Sequence, residues 1–234
     1  MKRELEPTRA LERSLALVCR ELFREPSELL AVGRFELVRT LGSGGMGVVY
    51  EALDAERGER VALKMLKRDG ASDQLRLKRE FRALAQLRHP NLVALHELNV
   101  NEEHTYFTME LVHGSDILSY VLRAAQNGAV DADLLRRLMT ELSRGVLALH
   151  QAGKLHRDLK PSNVLVSETG HVVLLDFGLV RDAFEPSVPV EGTPLYMAPE
   201  RYRGRACEAS DWYSVGRILA QLLTAATRQD RALE

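Results

Sequence analysis

Residues 154–166 read KLHRDLKPSNVLV and set groups able to do chemistry inside an apolar frame. Lys154, His156, Arg157, Asp158, Lys160 and Asn163 alternate with Leu155, Leu159, Val164, Leu165 and Val166, with Pro161 in the middle. A core segment does not carry so much charge, because each unpaired charge is costly away from water. A plain surface loop does not need those aliphatic residues. The mixture is that of polar groups held at fixed positions by a local scaffold, as a reactive site requires.

Four other places carry residues of the same kind. Gly42, Gly44 and Gly47 have G-x-G-x-x-G spacing, followed by Val49. Glycine lacks Cβ, so its backbone N–H groups can approach phosphate oxygens closely; a hairpin with a glycine turn has the same appearance. Lys64 sits in V-A-L-K, and it reads either as a solvent-facing strand lysine or as a cation awaiting a carboxylate. Glu80, sixteen residues on, is the candidate for that carboxylate, against the alternative of a solvated charge within KREFR. Asp176 ends an apolar run and precedes Phe177 and Gly178, as a turn residue or as a positioned carboxylate.

The elements that must hold these groups follow from periodicity. Leu11, Leu15, Val18 and Leu22 make one helical stripe in the first 33 residues, which reads as an accessory helix or as a docking or dimerisation helix ending near Pro26. Residues 34–50 read as strand, glycine turn, strand; Val48, Val49 and Tyr50 continue in β-prone form where a dinucleotide-binding fold would start a helix. Residues 58–66 form another strand. Residues 72–87 form a helix with Leu77, Phe81, Leu84 and Leu87 on one face, and residues 92–98 and 105–111 are two further strands. Ser115 or Asp116 caps a helix that runs to about Ala125, and Asp131 or Asp133 caps the next, which ends near Gly153. Residues 172–175 form a short buried strand, 181–192 a loop, and 210–226 a helix apolar on much of its circumference. A strand-rich first part therefore gives way to a helical second part, with the reactive stretch at the seam. Residues 1–33 read as a helical extension, 34–112 as a first lobe with its connection, and 113–234 as a second lobe.

Bulk properties narrow the setting. The chain has 234 residues and a formal charge of −1, which exerts no general attraction on nucleic acid or anionic lipid. Cys19 and Cys207 form no metal-like or redox-like pair, so a reducing, cytoplasmic location is the default. The charged N-terminus lacks a signal-peptide core, and no apolar run is long enough to span a bilayer.

Taken in order, the motifs resemble a eukaryotic-type Ser/Thr protein kinase, with S-G-G-M-G-V-V-Y similar to the bacterial members. The resemblance runs from about Phe35 to Leu223 through V-A-L-K, H-R-D-L-K-P-S-N, D-F-G and A-P-E. It implies an α+β, two-lobed fold, with an antiparallel sheet and one main helix in the N-lobe and a mostly helical C-lobe. It implies ATP and Mg2+ as cofactors and a protein with a Ser or Thr acceptor as partner. Leu41, Gly42, Ser43, Gly44, Gly45, Met46 and Gly47 would cover the nucleotide. Val49, Ala62 and Leu165 would enclose the adenine, with Met109, Glu110 and Val112 at the connection between lobes. Lys64, held by Glu80, would meet the phosphates; Asn163 and Asp176 would hold magnesium; Asp158 would take or orient the hydroxyl proton; and Lys160 would stabilise the phosphoryl group in transit. Asp211 would cap its own helix or, as in the family, brace the catalytic loop. Arg157 before Asp158 resembles kinases activated by phosphorylation, with Ser187 the candidate phosphosite and Thr193 matching a position that supports substrate. Transfer to a small molecule is disfavoured by the complete D-F-G to A-P-E segment.

One departure stands at the end. The family's C-lobe continues for several more helices, including an arginine that pairs with the residue matching Glu200. Their lack leads to an expected exposed apolar patch on the 210–226 helix, covered by self-association or a partner, or belonging to a fragment. An inactive or partner-dependent nucleotide-binding or scaffolding module is the alternative function.

Overall fold

The computed structural model describes residues 31–44, 47–66, 71–101, 104–176 and 194–227. The expected helix over residues 1–33, the loop at 181–192, and Gly45, Met46, Phe177, Gly178, Ser187 and Thr193 therefore lie outside the described residues, apart from the last three positions of that first segment.

Six strands form an antiparallel sheet: β1 (Ala31–Val32), β2 (Phe35–Gly44), β3 (Gly47–Asp54), β4 (Glu59–Leu66), β5 (Leu95–Val100) and β6 (Thr105–Glu110), in the order β1-β2-β3-β4-β6-β5. Period-two alternation gives this sheet two working faces. Phe35, Leu37, Tyr50, Val61, Leu63 and Tyr106 build a small core on one side. On the other, Ala62, Phe107 and Met109 join the main core. Register places Val49 opposite Lys64 and Ala62 opposite Met109, so all four share that second face. β5 starts at Leu95, later than the strand expected from residue 92, because Leu92 instead makes a parallel bridge to Leu174.

Helix α1 (Ala71–Ala85) lies on the same face of the sheet as Lys64. Phe81 and Leu84 are buried, and the Phe81 ring lies 6.0 Å from that of Phe107. Leu75 is exposed, so the apolar face is narrow.

Helices α2 (Ile117–Gln126), α3 (Ala132–Gln151) and α4 (Glu208–Thr227) make the second part helical. Asp116 caps α2, accepting from the N–H groups of Leu118 and Ser119, and Asp131 caps α3 through Leu134 N–H at 2.7 Å. Both caps satisfy N–H groups that a helix start leaves without partners. Leu138, Leu142, Val146 and Leu149 of α3 are fully buried beside Ile218 and Leu222 of α4. Helix α4 is less enclosed than its composition suggests: Trp212, Tyr213 and Leu223 are exposed.

A second sheet, β7 (Gly114–Asp116), β8 (Val164–Ser167) and β9 (Val172–Leu174), was only partly legible as strand. It frames the reactive stretch. The two sheets are stitched by the loop after α1: Val93 N–H donates to Leu174 O, Leu174 N–H to Asn91 O, and Asn91 Nδ2 to Val172 O at 2.8 Å. Asn91 Nδ2 also reaches Glu141 Oε2 of α3. Gly145 lets α3 come this close, since a Cβ there would lie 2.6 Å from Leu174 Cδ1 and 2.9 Å from Asn91 O.

Candidate active site

Residues 154–160 leave α3 through Gly153, whose φ of +67° is one that glycine adopts without strain. Arg157 follows with φ 67°, an uncommon conformation for a side-chain-bearing residue. Asp211 of α4 holds it there. Its buried carboxylate accepts from His156 N–H and Arg157 N–H, both at 2.8 Å, and lies 3.0 Å from His150 Nε2. The bracing role that resemblance implied for Asp211 is thus present in the hydrogen bonds. Arg201, just past A-P-E, donates to Arg157 O.

His156 faces inward. Burial pushes its pKa below the ordinary imidazole value, which keeps the ring neutral. Its Nε2–H donates to Leu175 O at 2.9 Å and its Nδ1 faces Asp158 N–H at 3.4 Å. The ring therefore spaces Asp158 from the end of β9, a structural role.

Asp158 stands at the mouth of the site. Lys160 Nζ lies 2.9 Å from its Oδ2. Asn163, in the short 3-10 turn Pro161–Asn163, donates through Nδ2 to Asp158 O at 2.7 Å. That leaves the Asn163 side-chain oxygen as an acceptor. Leu175 N–H donates to Asn163 O at 2.9 Å, so the next residue, Asp176, is fixed to the same loop. Asp176 has φ 55°, a second non-glycine residue in left-handed backbone. Its Oδ1 lies 2.6 Å from Lys64 Nζ, whose side chain is only 7% exposed.

Here the structure departs from the expected Lys64–Glu80 pair. Glu80 instead binds Lys154, with Nζ to Oε2 at 2.6 Å and both side chains 30% exposed. Spacing along the chain put Glu80 on the correct helix face but could not set how far α1 stands from β4. The buried Lys64 takes the carboxylate within reach, Asp176. Lys154 was legible only as one of the charges set among aliphatic residues in the 154–166 stretch.

The remaining expected positions divide. Leu41, Gly42, Ser43 and Gly44 are exposed on β2; Leu41 sits at a register shift and the other three pair with β3, whose Gly47 has φ 143° and a would-be Cβ 1.9 Å from Met65 O. No other residue type fits at Gly47 without moving β4. Ala62 and Met109 are buried, Val49 and Val112 half-buried, and Leu165 half-buried on β8. Glu110 N–H is already bonded to Ala94 O at 2.8 Å, so its carbonyl is the group left to consider at that position. Glu200 accepts from Ser210 Oγ at 2.6 Å, which holds its carboxyl below the ordinary pKa. Among the described residues, no three His, Cys, Asp or Glu side chains cluster as a metal cage. Asp176 and Asn163 still suit magnesium, which keeps several waters and takes few protein oxygens.

The pattern of residues that defines the protein kinase domain matches residues 35–230. The chain belongs to the protein kinase family. It is 40% identical over 204 residues to CBL-interacting protein kinase 19 of Oryza sativa, covering 83% of this chain and 39% of that protein. It is 36% identical over 200 residues to the probable serine/threonine-protein kinase PknB of Lactococcus lactis, covering 82% and 31%. It is likewise 36% identical over 197 residues to serine/threonine-protein kinase PknA of Mycobacterium tuberculosis, covering 79% and 45%. The chain thus spans less than half the length of these relatives. The two-lobed kinase fold accounts for both sheets and for the helical second part. No helix among the described residues is long and apolar enough to cross a membrane.

Proposed function

We propose that this chain carries an ATP-dependent protein kinase activity that transfers the γ-phosphoryl group to Ser or Thr hydroxyls of proteins. One observation supports it most: Asp158, Lys160 and Asn163 form one hydrogen-bonded cluster, and Leu175 ties that cluster to the Asp176–Lys64 pair. Asp158 accepts or orients the proton of the attacking hydroxyl. Lys160, already beside it, offsets charge on the phosphoryl group in transit. Lys64 contacts the phosphates of ATP from the sheet, with Asp176 beside it. Gly42, Gly44 and Gly47 lay the β2–β3 hairpin over the phosphates, with Val49, Ala62 and Leu165 against the adenine. Asp176 and Asn163 would hold magnesium, which neutralises phosphate charge when bound. The Lys160-Pro161 sequence after Asp158 and the names of the relatives support Ser/Thr acceptors.

Incubation with radiolabelled ATP and a generic protein such as casein tests this. Wild type is expected to label the protein or itself, and Asp158→Asn to lose roughly a hundred-fold or more in rate while still binding nucleotide. Equal labelling by the two would remove Asp158 from the reaction. Nucleotide binding without any transfer by wild type would leave only a nucleotide-binding module.

A further inference from the structure

Helix α4 carries a polar stripe that serves two loops. Asp211 braces the loop that bears Asp158, and the polar residues that follow on the same side hold the Pro194–Tyr196 turn. Ser214 Oγ donates to Tyr196 O at 2.7 Å, Arg217 Nε–H donates to Leu195 O at 3.1 Å, and Gln221 Oε1 accepts from Tyr196 O–H. Spacings of three and four residues keep these side chains on one face of the helix. The catalytic loop and the turn are therefore set against a single rigid rod.

Arg217 has donors left over. It is exposed, its Nε–H is taken by Leu195 O, and its terminal nitrogens enter no hydrogen bond or ion pair among the described residues. Fixing Nε–H orients the guanidinium, whose two terminal nitrogens form an end-on fork that matches a carboxylate. The surroundings are cationic. Arg203 and Arg205 are exposed just past A-P-E, and Arg201 donates to Arg157 O. The carboxylates of these elements are engaged: Asp158 with Lys160, Asp211 with the loop N–H groups, and Glu200 with Ser210. Glu208 is exposed but stands on the His150 side of α4, 3.9 Å from Nδ1. We propose that Arg217 selects an acidic residue of the protein substrate close to the acceptor Ser or Thr. The proposal rests on the reading of Asp158 as the group that meets the acceptor hydroxyl. Arg217 lies six residues past Asp211, about 9 Å along the helix. An extended peptide covers that length in about three residues, so the acidic side chain belongs within that distance of the acceptor. Leu195, 55% exposed and held by Arg217 through its carbonyl, offers an apolar contact beside the charge.

The test is phosphorylation, by the full chain, of a short alanine-based peptide with one Ser, made with Ala, Asp or Lys at the positions flanking that Ser. Wild type is expected to favour the Asp form over the Ala form in kcat/KM by about three- to ten-fold, with the gain in KM, as for one exposed charge-assisted pair. Arg217→Gln keeps a donor for Leu195 O and is expected to bring that ratio close to one. Arg217→Lys is expected to retain part of it, and Arg217→Glu to turn the preference toward the Lys form. Phosphoserine presents the same anionic oxygens, and a peptide carrying it in place of Asp separates primed from unprimed substrates; preference for either anion over Ala supports the assignment. A wild type indifferent to peptide charge overturns it, and so does an Asp preference that survives in Arg217→Gln and Arg217→Glu. Labelling of casein with rejection of every peptide also overturns it. A chain that labels neither casein nor any peptide sinks the kinase reading itself, an outcome distinct from failure of the Arg217 assignment.

Discussion

At the scale of single residues, the site is held by carboxylates that differ in burial and hence in duty. Asp158 and Asp176 are reachable from solvent and face cations, Lys160 and Lys64. Asp211 is enclosed and spends both oxygens on backbone N–H groups of the loop that carries Asp158. Removing it leaves two buried donors unbonded and releases Arg157 from its left-handed backbone, so Asp211→Ala is expected to cost about 3 kcal/mol. Urea unfolding measures this, and a loss under about 1 kcal/mol would show that water or a neighbour replaces the carboxylate. The catalytic loop's residue types were readable because charge amid aliphatics is rare. Their partners were not, because Asp211 is 53 positions from Asp158 and Leu175 acts through a backbone carbonyl with no side-chain signature.

At the scale of elements, β9 is the lever that places Asp176. It is clamped between Asn91 and the face of α3 at Gly145. Gly145→Ala brings two opposing effects. A helix-interior alanine gains about 1 kcal/mol over glycine, whereas forcing a methyl against Leu174 and the Asn91 carbonyl costs about 1–3 kcal/mol. The steric cost is expected to win, lowering the thermal midpoint by a few degrees. Because Leu174 precedes Asp176 by two residues, nucleotide affinity should fall with it. A midpoint that rises would show that α3 has room to shift. Helical periodicity identified α1 through α4, and alternation identified most of the first sheet. The short strands β7 and β8 were missed as strands because three- and four-residue runs carry too little period to read.

At the scale of the molecule, pH acts on stability through His156, whose ring is buried. Burial lowers the pKa of His156 from 6.5, and half-buried His89 is shifted the same way. Below pH 6.5 the unfolded chain binds protons that the folded chain resists. Their contribution is therefore complete above that pH and lost as pH falls through it. Denaturation midpoints recorded between pH 7.5 and 5.5 should decline, and His156→Asn should flatten the decline. An unchanged slope in that variant would assign the pH dependence to the other histidines.

The sequence by itself determined the family, the order of its motifs and which side chains carry charge into an apolar setting, since these depend on residue type and local spacing. Only the tertiary structure decided who pairs with whom. Lys64 was expected to pair with Glu80 but pairs with Asp176, while Glu80 pairs with Lys154; the choice turns on how far α1 stands from β4. That distance is set by long-range packing of Phe81 against Phe107, which no local pattern records.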